Sequence, residues 1–193
     1  LHVPSPARTA MVRVLAVCGL PACGKGEFAD VAASLSLPVR SMGDMVREEV
    51  VRQGLEGDPR VFGRIAVELR AKHGDDVLAV RLADAIDGME DRPALLVIDG
   101  LRGVAEREVF AARWGEAFRV VAIHADAEVR FRRSQARGRA EDGSLEDFQA
   151  RDVRELGWGV GQLMDEADHV LHNRDPLSAF RAEARALLVD LGA

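Results

Sequence analysis

Apolar residues follow two rhythms along this chain: short unbroken runs that stop at Gly or Asp, and longer stretches with helical spacing. Val12 to Cys18 (VRVLAVC) and Ala94 to Asp99 (ALLVID) have the length and continuity of strands buried on both faces of a parallel sheet. Phe118 to His124 predicts a third such strand, and Val39 to Ser41 and Val170 to His172 predict two shorter ones. Between them, helical spacing predicts helices over Lys25 to Leu35, Gly43 to Gln53, Pro59 to His73, Asp75 or Asp76 to about Met89, and Val104 to Trp114. Asp126 opens a basic helix through about Ala136, Leu145 to Leu156 is a further helix, and Pro176 starts a last one through Leu191. The stretch from Arg137 to Ser144 (RGRAEDGS) is polar and glycine-containing, so it reads as a loop.

Strands alternating with helices predict right-handed βαβ units, hence an α/β fold with a five-stranded parallel sheet between helical layers. The 193 residues fit one such domain, and no internal repeat or interdomain linker interrupts them. Residues 1–10, with Pro4 and Pro6, read as a disordered leader or expression remnant, and the folded chain is expected over 11–193. No apolar run approaches the length of a membrane span. The net charge of −6 argues against nucleic acid as the main partner, because a polyanion needs a basic face. Cys18 and Cys23 are the only cysteines, too few for a disulfide framework, which suits a reducing cytoplasm.

The segment GLPACGKG, comprising Gly19, Leu20, Pro21, Ala22, Cys23, Gly24, Lys25 and Gly26, follows the first strand and opens the first helix. That context suits a polyphosphate. Glycines allow a tight turn whose N–H groups converge on phosphate oxygens, the helix N-terminus adds a favourable dipole, and Lys25 supplies a compact positive charge. Lys25 and Lys72 are the only lysines in an arginine-rich chain, and one of them stands where arginine's planar fork fits poorly. Asp99, ending a buried strand at the ligand-facing edge, is the candidate Mg²⁺ holder. Where Ser or Thr follows the lysine in the strict motif, Gly26 and Glu27 stand here, so Glu27 is either a second metal ligand or an acid favoured by the helix dipole. Trp158 is expected to pack on the core, with stacking on a base as the alternative.

Gly19-x-Pro21-x-x-Gly24-Lys25-Gly26 resembles the phosphate loop of the adenylate kinase superfamily, in which glycine also follows the lysine. Met42 to Arg47 (MGDMVR), Asp99-Gly100-Leu101-Arg102, and the arginines Arg133, Arg139 and Arg151 around Glu141 and Asp142 resemble later segments of that family, in the same order. The Lys-Gly-Glu ending, the stretch Gly43 to Glu49 and the run Arg151 to Gly159 are similar to archaeal adenylate-kinase-related proteins; Ala167 to Asn173 resembles dephospho-coenzyme A kinases. The resemblance implies a P-loop NTPase three-layer α/β/α sandwich with a helical acceptor-binding insert over about 42–74 and a short lid over about 133–151. It implies Mg²⁺-ATP as donor, bound by residues 19–27 and Asn173. It also implies an acceptor held by Gly43, Asp44, Arg47, Arg102 and Glu106, with Asp44 orienting the acceptor or serving as a general base. The implied catalytic charges are Lys25, Arg133, Arg137, Arg139 and Arg151. Glu106 stands where the family has a base-reading glutamine. The expected partners are a nucleotide and a small phosphate acceptor, a nucleoside monophosphate or dephospho-coenzyme A, in a monomer or homodimer. The rival expectation is a P-loop ATPase or nucleotide-dependent switch with no small-molecule acceptor.

Overall fold

The computed structural model describes residues 13–138 and 143–193. A five-stranded, all-parallel sheet forms from β1 (Val14–Cys18), β2 (Val39–Ser41), β3 (Leu96–Asp99), β4 (Phe118–His124) and β5 (His169–His172), in the order β2-β3-β1-β4-β5. Register aligns Ser41 with Asp99 and His124 with His172, so these strands deliver their carboxyl ends to one edge. Chain order makes β1 central with later strands on both sides of it. Ligands of such sheets bind where the strand order reverses, just beyond β1 and β3.

Alternation along the strands divides the core in two. Val14, Ala16, Cys18, Leu96, Ile98, Val120 and Ala122 face one side, while Leu15, Val17, Val97, Val121 and Ile123 face the other. The second face is covered by α1 (Lys25–Ser34) and α9 (Leu177–Leu191), whose Phe28, Phe180 and Leu188 are fully buried. Each such side chain contributes about 1.5–3 kcal/mol relative to exposure. The first face is covered by α2 (Met42–Arg52), α3 (Pro59–His73), α4 (Val77–Asp87), α5 (Val104–Trp114) and α8 (Val160–Asp165). Met45, Val46, Ile65 and Leu69 of α2 and α3 belong to the same core as the strands, so the helices over 42–74 are packed onto the sheet.

Element types follow the sequence pattern, with shifts at the ends. Ser41 and Asp44 form a capping box that starts α2 at Met42, one residue before Gly43. Pro59 takes the first turn of α3, with Asp58 accepting from the Arg60 amide at 3.0 Å. Two helices complete the chain, α6 (Ala127–Arg137) and α7 (Leu145–Gly157). The pattern gave no sign of α8 as a separate helix. Gly159, at φ 102°, turns the chain through the left-handed region between α7 and α8, a turn open to glycine at little cost.

Candidate functional site

The phosphate loop joins β1 to α1, and its backbone leaves no room for larger residues at two points. A methyl group on Gly19 would lie 2.5 Å from Cys23 Sγ and 2.8 Å from the Ile123 carbonyl oxygen. One on Gly24, at φ 119°, would lie 2.3 Å from Asn173 Nδ2. Asn173 follows β5, is buried, and donates from Nδ2 to the Cys23 carbonyl at 2.8 Å, so it braces the loop from the next strand but one. Its Oδ1 is buried with no hydrogen-bond partner among the described residues. Lys25 opens α1 and donates from Nζ to the Gly19 carbonyl at 2.6 Å and the Leu20 carbonyl at 3.3 Å. Cys23 is 1% exposed and packs in the core, and burial pushes its thiol up despite the charge of Lys25. It fills space under the loop.

A single cleft of about 1300 Å³ runs across this edge. Pro21, Ala22, Gly24, Lys25 and Gly26 line it at the loop, with Asn173 beside them. Gly19, Leu20 and Cys23 do not line it; they shape the turn from behind. Asp99 lines the cleft from the end of β3. Burial pushes its carboxyl up from the ordinary 3.8, against the pull of Lys25, the Gly100 amide and Arg102. A half-desolvated carboxylate facing a phosphate site fits Mg²⁺, which takes one or two carboxylates and completes its shell with phosphates and water. No group of three His, Cys, Asp or Glu could hold a metal among the described residues. Glu27 lines the cleft but its carboxylate is held by both Nε and Nη2 of Arg181 on α9. Its charge is thus matched from the C-terminal helix, and a metal ion would have to compete with Arg181 for it.

The arginines sort by their partners. Arg102 and Arg151 both line the cleft, and both reach Glu155 of α7, whose side chain is 2% exposed. Arg102 Nε lies 3.8 Å from Oε1, and Arg151 Nε lies 3.7 Å from Oε2. Arg133 and Arg137 also line it, from α6. Arg133 Nη2 donates to the Asn173 carbonyl at 3.4 Å and to Asp175 at 3.3 Å, while its buried Nη1 has no hydrogen-bond partner among the described residues. Arg139, with Glu141 and Asp142, lies outside the described residues.

At the far end, Gly43 and Glu106 line the cleft, but Asp44 and Arg47 do not. Asp44 accepts from the Ser41 amide at 3.0 Å, from Arg40 Nε at 3.0 Å and from Arg47 Nη2 at 2.6 Å. Burial pushes this carboxyl up, yet the Ser41 amide and the two arginines outweigh it and hold it below 3.8. Asp44 therefore caps α2 and anchors Arg47. Glu106, 9% exposed, closes the capping box of α5: its Oε1 accepts from the amides of Arg102 at 3.0 Å and Gly103 at 3.1 Å. Burial pushes Glu106 up, opposed by those two amides and by the charges of Arg70 and Arg102.

Four residues here escaped the sequence pattern. Phe62 is 39% exposed, lines the cleft and lies 5.8 Å beneath the Arg47 guanidinium. Trp158, expected in the core, is 47% exposed and lines the cleft. Glu155 reads from sequence as one more acid on a polar helix. Arg130 is 4% exposed and binds three elements: the Ala125 carbonyl at 3.1 Å, the Pro21 carbonyl of the phosphate loop at 3.2 Å, and both oxygens of Asp152 on α7 at 2.9 and 2.8 Å. Its only sequence signal was a basic position on the inner face of α6.

A parallel sheet carrying a glycine-rich loop with its lysine at a helix N-terminus, an acid on the neighbouring strand end and arginines across one cleft defines a P-loop fold of the kinase type. Comparison with known proteins agrees. A family profile described as an AAA domain matches residues 18–149. The UPF0200 protein of Methanosarcina barkeri is 41% identical over 92% of this chain and 95% of its own length, and that of Hyperthermus butylicus is 40% identical over 91% and 92%. The chain belongs to that AAA-domain family and to the archaeal UPF0200 proteins. Among solved structures, dephospho-CoA kinase from Campylobacter jejuni aligns with a TM-score of 0.61 at 16% identity, covering 95% of this chain and 99% of that one. Shikimate kinase from Bacteroides thetaiotaomicron aligns at 0.56 and 16%, covering 93% and 99%. These similarities establish the fold. No helix among the described residues is long and apolar enough to cross a membrane.

Proposed function

We propose that this protein transfers the terminal phosphoryl group of Mg²⁺-ATP to a small nucleotide acceptor, a nucleoside monophosphate. The observation that carries the reading is the cleft itself. A phosphate loop with Lys25 and Asp99 occupies one end, Arg102 and Arg151 converge on Glu155 at the side, and the volume of about 1300 Å³ exceeds the roughly 300–1000 Å³ of a single-ligand pocket.

Phosphoryl transfer asks a protein for position, positive charge and exclusion of water. The amides of residues 22–26 and Lys25 hold the donor phosphates, with Lys25 exchanging the Gly19 and Leu20 carbonyls for phosphate oxygens. Asp99 would hold Mg²⁺, which would supply charge neutralisation at the donor phosphates. Arg133 and Arg137 approach from α6 and Arg151 from α7, on the side where charge develops on the transferred group. Arg102 meets the acceptor phosphate, and its 3.8 Å contact to Glu155 is long enough to yield to an anion making direct hydrogen bonds.

A coupled assay with Mg²⁺-ATP over nucleoside monophosphates and dephospho-coenzyme A, with an acceptor-free control, tests the proposal. Transfer to an acceptor by the wild type and its loss in Lys25→Ala are expected. Transfer that survives Lys25→Ala, or slow hydrolysis indifferent to every acceptor, overturns it; the second result returns the ATPase or switch reading. Turnover with dephospho-coenzyme A alone replaces the acceptor class.

A further inference from the structure

We infer that the end of the cleft away from the phosphate loop reads a base edge with two adjacent hydrogen-bond donors, the N1–H and exocyclic amino group of a guanine. The acceptor is then a guanosine-type monophosphate. This rests on the phosphoryl-transfer reading above and names the acceptor for it.

The far end has the composition of a ring-binding slot. Met42 and Val46 of α2, Phe62 and Ala66 of α3, and Leu78 of α4 give it apolar walls, and Trp158 stands exposed at the same cleft. Two charged side chains enter this apolar surface from different elements, Glu106 from α5 and Arg70 from α3, and the charge of Arg70 acts on Glu106. An apolar pocket with a few fixed polar groups takes its specificity from those groups.

Glu106 is fixed. Its Oε1 is consumed by the amides of Arg102 and Gly103, and no hydrogen bond from the described residues holds Oε2. The capping box explains Oε1. It does not explain why the acid lies 9% exposed on the wall of a ligand cleft with its second oxygen free. An ionised carboxylate accepts hydrogen bonds and donates none. Adenine and cytosine set a ring-nitrogen lone pair beside their amino groups, and uracil flanks its one N–H with two carbonyls. Against a carboxylate, each of these edges buries an unpaired or repelled acceptor. Guanine alone among the common bases presents two neighbouring donors, with O6 and N7 beside them as the acceptors that an arginine fork matches. Arg70 supplies such a fork in the same slot.

The test is calorimetric titration of GMP, IMP, AMP and CMP into the protein held with Mg²⁺ and adenosine 5′-(β,γ-imido)triphosphate, at mildly alkaline pH so that Glu106 is ionised. GMP is expected to bind at least about tenfold more tightly than AMP or CMP, with IMP, which lacks the amino group, between them. Glu106→Gln keeps the helix cap, because glutamine also closes a capping box, but turns an amide donor toward the slot. It is expected to weaken GMP at least about tenfold while AMP holds or gains. Arg70→Met, on a half-buried helix position outside the cap, gives a second variant expected to weaken GMP more than AMP. AMP binding as tightly as GMP, or variants that leave the GMP-to-AMP ratio unchanged, overturns the inference. If the imidotriphosphate binds and that preference is absent, only the guanine assignment falls; if the imidotriphosphate itself does not bind, the phosphoryl-transfer reading falls with it.

Discussion

Removing the carboxylate of Asp152 leaves the deeply buried charge of Arg130 without its counter-ion. Arg130 and Asp152 have side chains 5% and 17% exposed and meet through two parallel hydrogen bonds. Taking one partner from a buried pair costs about 3–5 kcal/mol, because the remaining charge has lost both water and its counter-ion. In Asp152→Ala the guanidinium keeps the Ala125 and Pro21 carbonyls and the face of Phe148 at 5.2 Å. That retained solvation places the cost near the lower bound, about 3 kcal/mol. For a chain of 193 residues this lowers Tm by roughly 6–12 °C. Arg130→Met with Asp152→Leu removes both charges and is expected to return to within about 1 kcal/mol of wild type, since apolar residues of similar volume replace buried pairs at little cost.

The assay is urea unfolding followed by circular dichroism for wild type, Asp152→Ala, and the thermodynamic cycle of Arg130→Met, Asp152→Leu and their double variant. The coupling energy between the two positions is expected to be about 2–3 kcal/mol. A loss below about 1 kcal/mol in Asp152→Ala refutes the reasoning, because it means that the pair is solvated and α7 is not fastened to the phosphate loop through Arg130. A double variant as unstable as the worse single variant refutes it differently, by showing that the site needs the charges themselves.

Gly24→Ala forces a methyl group to 2.3 Å from Asn173 Nδ2 at a φ of 119°. It is expected to break the Asn173–Cys23 brace at a cost of about 1–3 kcal/mol and to abolish ATP binding, read by melting and calorimetry. Asp99 has its folded pKa raised above 3.8, so its contribution to stability is complete below 3.8 and lost as pH rises through the folded value. Asp99→Asn is therefore expected to raise Tm at neutral pH while weakening Mg²⁺-ATP, and an Asn variant less stable than wild type counts against this. Asp44 has the opposite sign. Its folded pKa lies below 3.8, so its contribution is complete above 3.8 and lost as pH falls through the folded value. The stability gap between wild type and Asp44→Asn, followed by urea unfolding, is expected to close as pH falls below about 3.8.

The strands and most helices were legible because their physics is local: continuous apolar runs for sheet buried on both faces, and Pro59, Asp126 and Pro176 as helix starts. The phosphate loop was legible because its glycines and lysine fall between a strand and a helix, although the groups that crowd Gly19 and Gly24, Ile123 and Asn173, lie far along the chain. What sequence could not supply is which element each charge meets. Nothing near Glu27 in the sequence points to Arg181, which α9 brings to it from 154 positions away. Nothing marks Asp44 as the shared acceptor of the Ser41 amide, Arg40 and Arg47. For Trp158 the sequence left core packing and stacking on a base both open, and the turn at Gly159 leaves the ring exposed on the cleft wall.

The arginines carry that point into mechanism. In a chain this rich in arginine, residue type says nothing about which guanidinium is available to a ligand, but the partner geometry does. Arg130 is held at 2.8–3.2 Å by the Ala125 and Pro21 carbonyls and both oxygens of Asp152, so it ties the phosphate loop to α7. Arg102 and Arg151 both approach one buried acid, at 3.8 and 3.7 Å, beyond hydrogen-bond distance, so Glu155 draws both guanidinium groups to one wall of the cleft. Under the proposed phosphoryl transfer, a phosphate entering the cleft would offer Arg102 a shorter contact than Glu155 makes. Glu155 is then a placeholder for Arg102: it turns the guanidinium toward the cleft from a distance at which an anion can draw it away.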